Sequence, residues 1–396
     1  MQESWGTYSD RVSRLGWEGA SERPMAWRAP WRHLDPVVVL AALGLSLLGI
    51  AAIYSSTFAS LREQGLAEAT FARRQLISLG GGLAGMVLVT LVDYRRYQAY
   101  AVLVFGAVLL LLAAVLTPLG TATNGAQSWF GLGPLRVQPS EYAKVGIIVV
   151  LAAVLDGRGE RPGLRRLALA LGATALVSVE ILLQPDFGTL MVFVAVVFGV
   201  LLVAGVRLRW LLILALVGGI GVVGMFKLDV LKEYQKQRLT AFVNPSADHG
   251  GRGYTYNARQ ALIAIGSGGV TGKGYLKGTQ TNLQYVPEQR TDFIFTVVGE
   301  ELGFTGSVAL LLAFAALLWR GVRIALIARD PFGSLIAAGV VAMLAFQAFV
   351  NIGMTIGIMP ITGIPLPFVS YGGSSLITCY LGVGLLLNVH MRRYLQ

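Results

Sequence analysis

The strongest constraint on the fold is a series of about ten apolar windows, each of a length that crosses a lipid bilayer. About 20 apolar residues span the hydrocarbon core as a helix, which satisfies its own backbone hydrogen bonds. The chain is 55% hydrophobic and only 13% charged, whereas a soluble domain has about 25% charged residues. We therefore predict an all-α, polytopic membrane protein with about ten transmembrane helices. The windows lie near residues 36–56, 75–93, 98–118, 141–156, 166–183, 187–205, 209–228, 293–319, 332–356 and 374–390.

The distribution of arginines predicts the orientation of these helices. If the N-terminus is cytoplasmic, the inner segments hold most of the arginines, and the short outer loops hold few. The arginines of the short outer loops are Arg62, Arg73, Arg74 and Arg136. This asymmetry follows the positive-inside rule and predicts that both termini are cytoplasmic. The formal net charge of +11 then reflects orientation and contact with anionic lipid, so nucleic acid is not an expected partner.

The chain divides into a polar N-terminal tail, residues 1–34, and a membrane domain, residues 35–396. The tail interleaves tryptophans with arginines, which is typical of a segment at the cytoplasmic interface but also of a disordered tail. Within the membrane domain, the outer loop at about 229–292 between the seventh and eighth windows is far longer than usual, so we expect it to be functional. Helical periodicity from Tyr254 to Ile265 predicts a helix in this loop.

A second outer segment, about residues 357–374, contains three prolines and a pair of glycines. These residues exclude a continuous helix. Irregular backbone at membrane depth is tolerated only where it is buried in protein or lines a cavity. We therefore predict a re-entrant loop that forms one wall of an outward-facing cavity.

Asp292 lies where the long outer loop meets the eighth window. An ionised carboxylate costs about 2.5–3.5 kcal/mol at the centre of a bilayer, so such a group usually faces a cavity or a partner. On a helix that starts near Thr291, Thr296, Gly299 and Gly303 share its face, as expected for a cavity-facing or helix-facing surface. We expect catalysis at Asp292; the alternative is a carboxylate that interacts with the helix dipole.

Three further charged residues lie at predicted outer helix ends. Glu141 and Lys144 are three residues apart and therefore on one face of the fourth helix. They are expected either to pair within the helix or to present Lys144 to a phosphate, with Glu141 fixing its position. Asp186, in the short turn between the fifth and sixth windows, either caps the sixth helix or lines the same cavity as Asp292.

Five sequence blocks together resemble the SEDS family (shape, elongation, division and sporulation) over nearly the whole chain from about Asp35. They are QPSEYAK at 138–144, QPDFGT at 184–189, PEQRTDFIF with GEELG at 287–303, NIGM at 351–354 and GIPLPFVSYGGSS at 363–375. Residues 277–280 and 364–367 resemble the elongation (RodA) type more than the division (FtsW) type.

The resemblance implies a peptidoglycan glycosyltransferase of the plasma membrane that polymerises lipid II at its outer face. It implies a class B penicillin-binding protein and other elongation-complex membrane proteins as partners. The essential aspartate of the family matches Asp292, which we expect to act as the general base. The conserved Glu and Lys of the family match Glu141 and Lys144, and its hairpin acid matches Asp186.

Two positions depart from the family pattern. Arg290 stands where the family usually has histidine, and Ser128 stands where it often has arginine, so Arg290, Arg136 or Arg238 is expected to supply the missing positive charge. We predict one set of residues that bind the substrate or its pyrophosphate: Lys144, Glu141, Arg136, Arg238, Arg290, Glu288, Asp186, Lys273 and Ser370.

The sequence predicts no protein metal site and no certain cofactor. Cys379 is the single cysteine, and the three histidines are scattered, so a His/Cys site is not expected. A divalent cation (Mg²⁺ or Mn²⁺) that bridges pyrophosphate to a carboxylate stays open, because Mg²⁺ needs few protein ligands. The alternative functions are a lipid II flippase and a division-type polymerase. A flippase needs polar residues that reach both faces, whereas the unusual loops here all lie on the outer side.

Overall fold

The computed structural model describes residues 34–123, 126–132, 135–157, 161–227 and 254–394, together with residues 236 and 242. The predicted tail lies outside the described residues except for Leu34, and so does most of the first part of the long outer loop. The described helices are α1 (Pro36–Glu63), α2 (Thr70–Leu91), α3 (Tyr94–Ala99), α4 (Ala101–Val115), α5 (Pro139–Leu155), α6 (Leu164–Leu183), α7 (Phe187–Val203), α8 (Leu208–Lys227), α9 (Tyr254–Ser267), α10 (Thr279–Asn282), α11 (Ile294–Glu301), α12 (Gly303–Leu326), α13 (Pro331–Thr355) and α14 (Gly373–Met391). A 3₁₀ turn, Arg392–Tyr394, follows α14.

The chain is a multi-pass integral membrane protein. Six described helices, α1, α2, α6, α12, α13 and α14, are long and apolar enough to cross a membrane. Helices α4 and α7 and the first part of α8 are shorter and also apolar. Every predicted window overlaps a helix, which confirms the all-α membrane fold, and the number of ten spans stays a prediction.

A small antiparallel sheet between α4 and α5 was not predicted from the sequence. Its strands, β1 (Thr121–Thr123), β2 (Ala126–Leu132) and β3 (Leu135–Val137), pair in chain order. The register places Thr121 opposite Trp129 and Phe130 opposite Val137. Strands of three to seven residues carry too little alternation for a periodicity argument to detect. The sheet holds Trp129 on its central strand, β2.

The predicted hairpin and the predicted loop helix are both present. Helices α6 and α7 are separated only by residues 184–186, as their polar, proline-containing turn indicates. Helix α9 begins at Tyr254, as predicted, and buries Ala261 and Ala264 completely or almost so.

The eighth predicted span is broken into α11 and α12. The break follows from Gly303, which has φ +65°, a value that favours glycine. A Cβ atom at this position would lie 2.3 Å from the backbone nitrogen of Gly272, so the outer loop contacts the break directly. Helix α11 begins only at Ile294, so Asp292 lies in the turn before the helix rather than on it. Gly299 faces Ile265 of α9, and its face therefore contacts another helix rather than the cavity.

Residues 357–372 contain no helix, as the prolines and glycines predict, and they pack against the bundle. Ile364, Leu366 and Val369 are buried. The backbone of α1 contacts this segment closely at Gly49, because a Cβ atom there would lie 2.5 Å from the carbonyl oxygen of Val369. The absence of a side chain at Gly49 thus lets α1 approach the irregular segment.

At the predicted inner end, Asn388 joins α14 to the end of α2. Its Nδ2 donates to the carbonyl oxygens of Val89 and Val92, both at 2.5 Å, and its Oδ1 accepts from the backbone nitrogen of Tyr94 at 3.2 Å. The hydroxyl of Tyr94 donates to Asp330. Burial raises the pKa of Tyr94 well above its usual range, so the phenol stays neutral and remains a donor at physiological pH.

Candidate active site

A cavity of about 160 Å³ lies at the predicted outer end of the bundle. Its walls come from β2, the start of α5, the α6–α7 turn, the turn before α11, helix α13, the irregular segment and the start of α14. Four of the charged residues singled out from the sequence line it together: Glu141, Lys144, Asp186 and Asp292.

Glu141 and Lys144 form an ion pair on the first turns of α5. The helix begins at Pro139, a residue suited to a first helical position, and its 3.6-residue repeat brings the two side chains to one face. Lys144 Nζ lies 2.7 Å from Glu141 Oε2, and the two residues are only 1% and 4% exposed. The predicted intrahelical pair is present, and the pair also lines the cavity.

Asp186 caps α7 and ties it to the start of α5. Its Oδ1 accepts from the backbone nitrogen of Thr189 at 3.0 Å, and its Oδ2 accepts from the Thr189 hydroxyl at 2.8 Å. The Ser140 hydroxyl and the Gln138 amide each donate to the same Oδ2 at 3.1 Å. Asp186 is therefore both a helix cap and a cavity-lining residue.

Asp292 is held by its backbone at the mouth of α11. Its nitrogen donates to the carbonyl oxygen of Glu288 at 3.1 Å. Its carbonyl oxygen accepts from Asn351 Nδ2 of α13 at 2.9 Å. The same Nδ2 donates to the carbonyl oxygen of Ile364 at 2.7 Å, so one buried amide joins the Asp292 turn to the irregular segment.

The two residues before Asp292 are also anchored through their carbonyl groups. Ser370 Oγ donates to the carbonyl oxygen of Thr291 at 2.5 Å and accepts from the backbone nitrogen of Leu366 at 2.9 Å. The backbone nitrogen of Tyr371 donates to the carbonyl oxygen of Arg290 at 2.8 Å. Three consecutive carbonyl groups, those of Arg290, Thr291 and Asp292, are thus fixed, which sets the position of Asp292 at the cavity.

Arg290 is not among the residues that line the cavity but lies beside one of them. Its guanidinium is 4.2 Å from the centre of the Phe71 ring, and that ring packs edge-on against Tyr371, which does line the cavity. A cation over an aromatic face is held by the ring quadrupole. Among the described residues, no carboxylate pairs with Arg290, so its charge is available at the mouth of the cavity.

The remaining predicted binding residues also lie outside the described lining. Arg136 is exposed on β3, and Glu288 is exposed in the turn before Asp292, where its carboxylate accepts from the Thr291 hydroxyl at 3.1 Å. Ser370 directs its hydroxyl to backbone groups, as described above. Arg238 lies outside the described residues. Their roles in binding stay predictions.

Lys273 belongs to a separate cluster around Glu300. Lys273 Nζ lies 2.7 Å from Glu300 Oε1, which also accepts from the hydroxyl of Thr279 and the nitrogen of Gln280. Glu300 Oε2 accepts from the nitrogen and the hydroxyl of Thr281. Five donors thus surround one completely buried carboxylate, which fastens the end of the outer loop to α11.

Several cavity residues had not been identified as site residues from the sequence: Trp129, Gln347, Tyr371, Ser374 and Ser375. A signal was present for one of them, because Gln347 and Asn351 are four residues apart in a mostly apolar helix. Polar side chains at helical spacing in a membrane span indicate a face toward the bundle interior. Within the described residues, no cluster of three or more His, Cys, Asp or Glu side chains could hold a metal ion.

Comparison with known proteins assigns this arrangement to a family. The sequence profile of the FtsW, RodA and SpoVE family, described as "Cell cycle protein", matches residues 36–395. The chain is 39% identical to stage V sporulation protein E of Bacillus subtilis, with 90% of this chain and 96% of that protein covered. It is 37% identical to the peptidoglycan glycosyltransferase MrdB of Escherichia coli, with 91% and 94% covered.

Two solved structures are similar in both sequence and fold. One, described as "Structural coordination of polymerization and crosslinking by a peptidoglycan synthase complex", has a chain with a TM-score of 0.75 and 35% identity, covering 92% of this chain and 99% of that one. The other is the rod shape determining protein RodA of Thermus thermophilus, with a TM-score of 0.68 and 35% identity, covering 93% and 100%.

Proposed function

Because this chain belongs to the FtsW, RodA and SpoVE family and is a peptidoglycan glycosyltransferase, we propose that it polymerises lipid II with Asp292 as the general base. The observation that carries the proposal is the meeting of Asp292, Asp186 and the Glu141–Lys144 pair in one cavity. These residues come from three separate parts of the chain. Placing their charges together inside a membrane protein is energetically costly, and a functional site explains why they are kept.

In the proposed reaction, the Asp292 carboxylate takes the proton of the 4-hydroxyl of the acceptor sugar. That oxygen forms a bond to the anomeric carbon of the donor. The bond from this carbon to the pyrophosphate breaks, undecaprenyl pyrophosphate leaves with the electron pair, and the anomeric centre is inverted. A positioned base contributes typically 10²–10⁴-fold to such a step.

The developing charge on the pyrophosphate requires cations. Lys144 Nζ already forms an ion pair with Glu141 at 2.7 Å, so this carboxylate offsets much of the positive potential that Lys144 presents to a phosphate. Arg290, stacked on Phe71, is the described cation best placed at the mouth to meet a phosphate. We assign Arg290 this role, in place of the histidine that is usual in the family.

We further propose an elongation-type role beside a class B penicillin-binding protein. Two observations support the elongation type. The sequences at residues 277–280 and 364–367 resemble that type, and the chain is similar to RodA of Thermus thermophilus. The similarity to a chain of a complex that couples polymerisation and crosslinking supports the partner. Complementation in cells tests the elongation-type role. We expect this chain to restore rod shape in cells depleted of their elongation polymerase and not to rescue division in cells depleted of the division polymerase.

The decisive experiment is polymerisation of purified lipid II by the wild-type chain and by Asp292→Asn, with and without the transpeptidase. A parallel reaction with EDTA tests the predicted option of a divalent cation. We expect glycan strands from the wild type and none from Asp292→Asn at an unchanged melting temperature. Normal synthesis by the variant would refute the role of Asp292. A wild type that is inactive with partner and metal present would instead favour a flippase.

A further inference from the structure

Gln347 is a buried polar side chain of the cavity wall that the mechanism above does not use. It lies on α13, is 1% exposed and lines the cavity with Asp292 and Lys144. Within the described part of the chain, no donor reaches its Oε1. A buried amide oxygen without a donor destabilises a fold, and almost all such groups in proteins are satisfied. Because Gln347 lines a substrate cavity, its buried oxygen without a described donor indicates that the missing donor is on the ligand.

The chemistry of the carboxamide limits what that partner can be. An amide presents an acceptor on one side and two donors on the other. A hydroxyl group or a secondary amide can both donate to it and accept from it. A pyrophosphate oxygen at neutral pH only accepts, so it would leave Oε1 without a donor.

The charges around Gln347 also disfavour a pyrophosphate at the bottom of the cavity. Lys144, the cation of the described lining, is neutralised by Glu141 at 2.7 Å. Asp186 adds a further carboxylate to the same wall. The guanidinium of Arg290, which no carboxylate of the described residues pairs, lies outside this lining, over Phe71. A neutral sugar suits the interior of the cavity, and a phosphate suits its mouth.

We infer that Gln347 binds a hydroxyl or N-acyl group of a sugar unit of lipid II, and that the pyrophosphate stays outside the pocket that Gln347 lines. The inference rests on the proposed function and adds a specificity-determining residue to it. Since Asp292 shares the cavity, the sugar that Gln347 holds is the one whose hydroxyl Asp292 deprotonates.

The test compares two ligands that share the undecaprenyl pyrophosphate and differ in the sugars. Binding of lipid II and of undecaprenyl pyrophosphate is measured on full-length protein in the Asp292→Asn background, which prevents turnover. Gln347→Met removes both polar atoms at nearly constant shape. Thr378→Val is the matched control. Thr378 Oγ1 is also buried and has no hydrogen-bond partner among the described residues, but Thr378 lies outside the cavity lining.

We expect Gln347→Met to weaken lipid II binding on the order of 10- to 100-fold, the effect of one or two lost hydrogen bonds in a desolvated site. Binding of undecaprenyl pyrophosphate should not change, and the melting temperature should stay level or rise because an unsatisfied group is removed. Gln347→Glu, which keeps an acceptor for a sugar donor, should retain more lipid II affinity than Gln347→Met. Thr378→Val should change neither affinity.

If Gln347→Met weakens the binding of both ligands equally, the pyrophosphate binds at Gln347 and the inference is overturned. Unchanged binding of both ligands by Gln347→Met would overturn it as well. If Gln347→Met does not fold, Gln347→Glu is compared for the two ligands in the same way. If the Asp292→Asn protein with Gln347 intact binds neither ligand, that result would count against the proposed function instead.

Discussion

Asn351→Leu is the substitution that tests most directly whether the backbone anchoring of Asp292 serves catalysis. Asn351 is completely buried, and its Nδ2 donates to the carbonyl oxygens of Asp292 and Ile364 at 2.9 and 2.7 Å. Leucine has almost the same shape and no donor. The substitution leaves one buried and one part-buried acceptor without a donor. A buried acceptor left without its donor costs about 1–3 kcal/mol, so we expect a loss of about 2–4 kcal/mol in the free energy of unfolding.

The consequence for the reaction follows from the position of these bonds. Without Asn351, the Asp292 turn and the irregular segment lose the bridge that holds them together, and the base is free to shift. A displacement of about 1 Å in a reacting group costs about 10²-fold in rate. We expect kcat for lipid II polymerisation to fall about 100-fold, with little change in KM because the sugar and phosphate contacts remain.

Asn388→Leu provides the matched control. Asn388 is also completely buried and donates from Nδ2 to two backbone carbonyl oxygens, those of Val89 and Val92, at the opposite end of the bundle. Its substitution should cost at least as much stability while kcat stays near the wild-type value, measured below the melting temperature of both variants. If the two variants lose kcat equally, or if Asn351→Leu keeps wild-type kcat, the proposed positioning role is wrong.

Two further predictions concern the charges of the site. Lys144→Met leaves Glu141 buried without its cation and should destabilise the protein by about 3–5 kcal/mol. The double variant Lys144→Met with Glu141→Leu should recover most of that loss, because an apolar pair can replace a buried ion pair. Thermal melting of the wild type and both variants checks this, and a double variant no more stable than the single variant would contradict it. Arg290→His should make lipid II polymerisation pH-dependent. Histidine is charged only below its pKa of about 6.5, so activity relative to the wild type should fall as the pH rises from about 6 to 8. A constant ratio across this range would show that the charge at position 290 does not matter.

Sequence reasoning succeeds here where the signal is local. Apolar windows of about 20 residues predict helices because lipid leaves the backbone no other partners. The short polar turn at residues 184–186 separates α6 from α7, and the prolines of residues 357–372 exclude a helix there. Each of these features depends on neighbours in the chain, and each is present in the structure.

The failures share the opposite property, since they depend on contacts between distant residues. The break between α11 and α12 lies at Gly303, which packs against the backbone of Gly272, a contact that no window around residue 303 contains. The late start of α11 at Ile294 leaves Asp292 in the turn before the helix. The sequence left open whether the stripe with Gly299 faces a cavity or a helix, and Gly299 faces Ile265 of α9.

The polar residues of the membrane domain show why a site needs the structure as well as the sequence. Asp186 and Glu300 are acids in apolar surroundings, yet one accepts from four donors and the other from five. Such carboxylates have their hydrogen bonds already made and act chiefly to hold helices and loops together. Gln347 is a neutral amide with a weaker sequence signal, but no donor reaches its Oε1 within the described residues. Because an unsatisfied group gains most from a ligand, the number of partners identifies the binding residue better than its charge does.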